Sequence, residues 1–304
     1  MVKRALLTFI TAVGFCVAAT PFVMGQDEPA QASGESEMAV SPTQSGYASV
    51  NGLEMYYEFY GEGEPLVVLH GAYMSIPTMG EIVPRLAQTR QVIAVELQGH
   101  GRTADVDRPL SYEQMADDVA ALLGEIGIEK ADIFGYSMGG STALQIGIRH
   151  PELVDRLVVA SATYNTEGWY PDMLELVPSI TPELFAGSPI EADYMELAPN
   201  PEDFPVLVEK LVQLDSTVQD WSPESIQAIS APTLIIIGDS DSVQPEHAVD
   251  LFRLRGGGVN GDMTGLPNAQ LAVIPGATHI SVLSHVDTLT PMIVAFLDTP
   301  TAES

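Results

Sequence analysis

The sequence predicts an α/β fold: a doubly wound, mostly parallel sheet with an inserted helical lid. Three observations carry this expectation. Six short apolar runs recur along the chain, helical patterns fall between them, and a glycine or polar turn closes each run. Runs this short and apolar on both faces suit central strands covered by helices on either side. Strand alternating with helix builds a parallel sheet.

Taken in order, residues 1–26 read as a targeting segment. Lys3 and Arg4 form a positive start, residues 5–25 carry no charge, and small residues at Val23 and Gly25, or at Val17 and Ala19, offer cleavage sites. The expectation is a cleaved signal peptide and an exported protein, periplasmic or extracellular. The uncharged run is also just long enough to span a bilayer, so an uncleaved anchor is the competing reading. Phe15 before Cys16 does not suit a lipoprotein. Residues 27–46, rich in Gln, Glu, Ser, Pro, Ala and Gly without periodicity, read as a flexible linker. The domain then runs from 47 to 304.

Residues 48–60 alternate around Asn51-Gly52, a strong hairpin turn. The apolar runs follow at Pro65–Leu69, Val92–Leu97, Ala131–Phe134, Leu157–Ala162, Thr233–Ile237 and Leu271–Ile274. Helices are expected at 112–126, with Ser111 and Gln114 as a capping box, at Met138–Arg149 ended by Pro151, at Glu246–Arg253 and at Leu289–Leu297. Residues 163–232 break the rhythm between two consecutive strands. Their prolines and scattered aromatics suggest short helices packed as a lid over the sheet's carboxyl edge. No internal repeat is found.

Acids outnumber bases 41 to 12, a formal net charge of −29. Two of those bases precede residue 27 and no acid does, so an exported chain is more acidic still. That balance argues against nucleic acid as a partner, because phosphate binding needs clustered Lys and Arg. A single cysteine, Cys16, excludes an intrachain disulfide framework and a cysteine-based zinc site. No two of the six histidines have a metal-ligand spacing such as i, i+4.

Gly135-Tyr136-Ser137-Met138-Gly139 lies between an expected strand and an expected helix. Turning from strand to helix at one residue strains the serine's backbone and leaves no room for side chains at the flanking positions. The turn would expose the Ser137 hydroxyl above the sheet edge. A serine hydroxyl needs a base to take its proton. In such a sheet the acid and then the histidine follow, each just past a later strand. Asp239 and Asp241 follow the run at 233–237, and His279 follows the run at 271–274. His70-Gly71-Ala72 follows the run at 65–69, where the second half of an oxyanion hole belongs. The backbone N–H groups of Ala72 and Met138 are therefore its expected donors.

From about Tyr47 to Leu297 the chain resembles the α/β-hydrolase superfamily, in particular its bacterial esterase, enol-lactonase and cofactor-free haloperoxidase branch. The resemblance rests on His70-Gly71, Gly99-His100-Gly101-Arg102, Gly135 to Gly140, the stretch Gly238 to Pro245, and Gly276 to His279. It implies the α/β-hydrolase fold, and its motif register selects Asp241 over Asp239 as the partner of His279. Ser137 stands where haloalkane dehalogenases and epoxide hydrolases place an aspartate. Glu96, where aspartate is often found, reads as a surface or loop-shaping variation.

The remaining histidines have structural readings: His70 and His100 order loops, His150 and His285 lie at the surface or helix ends, and His247 opens a helix. Tyr73 and Tyr136 are expected to touch substrate. Met74, Trp169, Tyr170, Phe185, Tyr194 and Trp221 are further candidates for an acyl pocket, although lid aromatics more often pack the lid on the sheet. The expected activity is hydrolysis of a small-molecule carboxylic ester or lactone through an acyl-enzyme, with no cofactor or metal and no stable membrane span after cleavage. The alternatives are a C–C bond hydrolase or perhydrolase with the same residues, and a non-catalytic binding protein. The last normally lacks a triad member, and none is missing here.

Overall fold

Residues 41–300 are described by the computed structural model; the targeting segment and residues 27–40 lie outside them. The strands are β1 (Gln44–Val50), β2 (Leu53–Tyr60), β3 (Pro65–Leu69), β4 (Gln91–Val95), β5 (Ala131–Tyr136), β6 (Val154–Ala160), β7 (Thr233–Ser240) and β8 (Ala269–Thr278). They form one sheet in the order β1-β2-β4-β3-β5-β6-β7-β8. β2 pairs antiparallel with both β1 and β4, and every pairing from β4 onward is parallel.

The helices are α1 (Ile82–Leu86), α2 (Tyr112–Glu125), α3 (Met138–Arg149), α4 (Pro171–Leu176), α5 (Pro189–Leu197), α6 (Phe204–Ser216), α7 (Pro223–Ala228), α8 (Pro245–Leu254), α9 (Gly261–Thr264) and α10 (Val286–Leu297). Successive strand residues point to opposite faces, and the core divides accordingly. Val67, Leu69, Ile133, Val159 and Ile235 pack with residues of α2, α3 and α8. Leu66, Val68, Phe134, Val158 and Ile236 pack with residues of α1 and α10. Coverage on both faces is why β3 and β5 read as unbroken apolar runs. Each fully buried Leu, Ile or Phe contributes about 1.5–3 kcal/mol over an exposed one, so the layering is strongly specified.

Several expectations are corrected. Pairing of Gln44–Gly46 with Phe59–Tyr57 starts the first strand inside the segment read as linker. Ladder bonds use only backbone groups, so polar Gln44 and Ser45 join it without an apolar signal. β8 is not a central strand: it pairs only with β7, and its residues alternate between buried and exposed. The capping box is half formed. Ser111 Oγ accepts from Gln114 N, but the Gln114 side chain donates to Asp118. Five-residue α1, which carries Pro84, is too short to give a helical period and was not expected.

Between β6 and β7 the chain leaves the sheet for α4 to α7, then returns to lie parallel beside β6. This segment is tied to the loop after β7: Tyr170 N donates to Ser242 O, and Gln244 N donates to Gly168 O. Among the described residues no helix is long and apolar enough to cross a membrane.

Candidate active site

Ser137 joins β5 to α3 with φ 53° and ψ −117°, a strained conformation for a side-chain-bearing residue. Neighbouring glycines make the turn feasible. A Cβ on Gly135 would lie 2.1 Å from the carbonyl oxygen of Gly139, and one on Gly139 would lie 2.4 Å from that of Leu69. Ser137 N donates to Ala160 O at 2.9 Å, which ties the turn to the end of β6.

The ends of β5, β7 and β8 bring Ser137, Asp241 and His279 into one hydrogen-bonded chain. Ser137 Oγ lies 2.9 Å from His279 Nε2, and His279 Nδ1 lies 2.8 Å from Asp241 Oδ1. With Nδ1 donating to the carboxylate, Nε2 is free to accept the serine proton. Asp241 also accepts from Val243 N at 3.0 Å, and its second oxygen accepts from Ser161 Oγ at 2.6 Å. Burial by itself would raise this carboxyl. The bonds and charge of His279, with the Ser161 and Val243 donors, outweigh burial and hold Asp241 below the usual carboxylate range.

Asp239 points elsewhere: it is exposed and accepts from Gly276 N at 2.9 Å. The Tyr136 hydroxyl donates to the carbonyl of His279. Tyr136 therefore lines the pocket while its polar end holds the histidine loop.

Ala72 and Met138 both border the same cavity as Ser137. Two buried imidazoles order the loop that carries Ala72. His70 Nδ1 donates to Gly71 O at 2.8 Å, and its Nε2 accepts from Leu97 N at 3.1 Å. His100 Nδ1 donates to Gln98 O at 2.9 Å, and its Nε2 accepts from Tyr73 N at 3.3 Å. Burial lowers His70 to about 3 and His100 to about 4. Both rings are thus neutral, as a ring that accepts at Nε2 must be.

Glu96 is not at the surface. It is fully buried and accepts from Ile76 N, from Arg102 N and from the Arg102 guanidinium. It shapes the loop from inside the protein. His150 caps α3 and bonds Asp117, His285 precedes α10, and His247 accepts from Tyr164 N.

The cavity, about 630 Å³, is walled by Tyr73, Met74, Trp169 and Phe185 beside Ser137 and His279. Tyr170, Tyr194 and Trp221 do not line it. Tyr170 is 40% exposed, Tyr194 packs on Phe204, and Trp221 donates to Glu113. Among the described residues no three His, Cys, Asp or Glu side chains cluster so as to hold a metal ion.

Two side chains at the site were missed in the sequence. Ser161 ends a strand with no motif around it. Asp215 lines the cavity from α6. It follows fully buried Leu211 by one helical turn, so an acid falls on an otherwise apolar face; that is the signal by which the sequence could have marked it.

A family model described as the alpha/beta hydrolase family matches residues 66–289. The chain is 28% identical over 271 residues to a pimeloyl-acyl-carrier-protein methyl ester esterase of Pectobacterium carotovorum, covering 80% of this chain and 98% of that protein. A shorter match, 32% over 123 residues, joins 40% of this chain to 36% of an uncharacterised Mycobacterium bovis protein, so the chain spans about a third of that relative's length. The enol-lactonase of Burkholderia xenovorans LB400 superposes with a TM-score of 0.63 at 22% identity, covering 83% of this chain and 99% of that one. The meta-cleavage product hydrolase of Pseudomonas fluorescens IP01 gives 0.62 at 23%, covering 84% and 98%. These two likenesses show a shared fold.

Proposed function

Because the chain belongs to the alpha/beta hydrolase family, we propose that it is a serine hydrolase that cleaves a small carboxylic ester or lactone through an acyl-enzyme. The observation that carries the reading is the Ser137–His279–Asp241 chain, with links of 2.9 and 2.8 Å, beside a cavity walled mainly by apolar side chains. The esterase activity named for the Pectobacterium relative supports it.

In this mechanism Ser137 Oγ attacks the carbonyl carbon as His279 Nε2 takes the hydroxyl proton. The carbonyl π electrons move to oxygen, and that oxyanion is met by the N–H groups of Ala72 and Met138, the latter at the positive end of α3. Collapse breaks the bond to the leaving oxygen, which receives the proton from His279. Water then repeats the sequence on the acyl-enzyme, with His279 as base, and releases the acid and free Ser137. Asp241 holds the imidazole tautomer and stabilises the imidazolium. Export belongs to the same reading, on the strength of Lys3, Arg4 and the uncharged run to residue 25.

The test is a panel of nitrophenyl esters, lactones, peracid-forming reactions and vinylogous diketones with purified protein, alongside a phosphonate probe read by intact mass. Ester or lactone turnover and a single adduct, both lost in Ser137→Ala, are expected. Turnover confined to C–C cleavage or perhydrolysis would replace the ester reading, and an adduct that persists in Ser137→Ala would overturn the nucleophile.

A further inference from the structure

Asp215 is an acid without a partner in a cavity built mostly of apolar side chains. It stands near the end of α6, whose Leu207, Val208, Leu211 and Leu214 are buried in the core. Its carboxyl borders the same cavity as Ser137 and His279. Among the described residues its carboxyl accepts no hydrogen bond, and no Lys or Arg borders the cavity beside it. Burial raises Asp215 to about 7, the imidazole of His279 opposing that rise only in part. Asp215 is half-buried, and a carboxylate facing a mostly apolar cavity is costly until a counter-charge or a donor meets it.

The surroundings point to what would meet it. The Tyr73 hydroxyl, on the same cavity, is buried and makes no hydrogen bond. Tyr73, Tyr112 and Asp215 all line this cavity; burial raises both phenols, and the charge of Asp215 raises each further. Among the described residues Glu81 is the other acid on the cavity wall, and neither Lys nor Arg lines it. A substrate bearing a second carboxylate finds no counter-ion there. One bearing a cation finds Asp215, with an acceptor to spare in Tyr73. The net charge of −29 favours the approach of cations generally.

We propose that Asp215 is a specificity-determining residue that accepts hydrogen bonds from a protonated amine carried on the substrate, so that amino-bearing esters or lactones are the preferred substrate class. The assignment rests on the serine-hydrolase reading above. An ammonium supplies the charge that the apolar wall withholds, and it positions the carbonyl relative to Ser137 by anchoring the far end of the molecule.

The experiment compares nitrophenyl esters of a series of ω-amino acids with their ω-methyl isosteres and ω-hydroxy counterparts, using the full chain. At the best chain length the amino ester should exceed its isostere about tenfold or more in kcat/KM, since a site built to bond a polar group discriminates against its loss. Asp215→Asn should bring that ratio close to one, and Asp215→Glu should keep part of it. Because the ratio is the readout, any general loss of activity in a variant cancels. A wild-type ratio near one, a preference for the hydroxy ester over the amino ester, or a ratio unchanged in Asp215→Asn would each overturn the assignment, even with neutral esters hydrolysed through Ser137. If no ester of any kind turns over, the underlying reading fails and takes this assignment with it.

Discussion

The hydroxyl of Ser161 donates at 2.6 Å to the oxygen of Asp241 that His279 does not use. The two residues are eighty positions apart, and the parallel pairing of β6 with β7 brings them together. Ser161 is thus the donor that completes the coordination of the acid. It holds the strained φ of 51° while doing so.

Removing that donor should slow turnover without changing the fold. A hydrogen bond to a charged group is worth about 1.5–3 kcal/mol, or roughly tenfold to a hundredfold in rate if all of it is lost in the transition state. Ser161→Ala and Ser161→Gly should both lower kcat, with the glycine variant better folded because it relieves the positive φ. Wild-type kcat in both would remove Ser161 from the site.

Asp241→Asn should cut turnover by about 10⁴, as losing the acid leaves the imidazole in the wrong tautomer. Asp239→Asn should cost far less. Its carboxyl serves Gly276 N and Ser240 Oγ and makes no bond to His279. Steady-state kinetics with thermal melts on both variants decide it, and the reverse order would exchange their roles.

The elbow should tolerate no methyl group. Gly135→Ala places a Cβ 2.1 Å from a backbone oxygen that cannot rotate away, a clash expected to cost several kcal/mol. Gly127→Ala, at φ 75° with nothing within 4 Å, meets only backbone strain of about 1 kcal/mol. Denaturant midpoints should rank the two accordingly; equal losses would contradict the packing at Gly135.

Asp215 also makes stability depend on pH, a readout independent of catalysis. Its carboxyl is raised from 3.8 to about 7 in the folded chain, in surroundings that include Tyr73, Tyr112 and His279. Between those values the folded state keeps a proton that the unfolded state has released. The stability it contributes is therefore complete at low pH and is lost as pH rises through about 7. Asp215→Asn should flatten the fall in Tm from about pH 4 to about pH 7 relative to wild type. Parallel Tm profiles would mean that the carboxyl is not raised.

The turn at Ser137 and the apolar strands around it were legible because each rests on local sterics, whereas the expectation that an acid and then a histidine follow later strands came from motif order. A strand that must turn into a helix at one residue writes its glycines beside that residue, and a strand covered on both faces writes an unbroken apolar run. Asp241 was separable from Asp239 only through motif register. The geometry now separates them physically: one carboxylate is buried against His279, and the other faces the solvent.

Glu96 and Ser161 gave no such signal, and Asp215 only the weak one of an acid on an apolar helix face, since each acquires its role from residues distant in the chain. Glu96 looked like a surface variation until loop closure put Ile76 N and Arg102 around it. Ser161 is an ordinary strand end until β7 lies beside β6, and Asp215 gains its setting only when the packing of α6 makes it line the same cavity as Ser137. By itself the sequence determined where the strained turn at Ser137 must sit and which elements carry it, because backbone strain and strand burial are properties of neighbouring residues. Only the tertiary structure decided which polar groups are paired and which are left waiting in the cavity, because hydrogen bonding and desolvation depend on what the rest of the chain brings into contact.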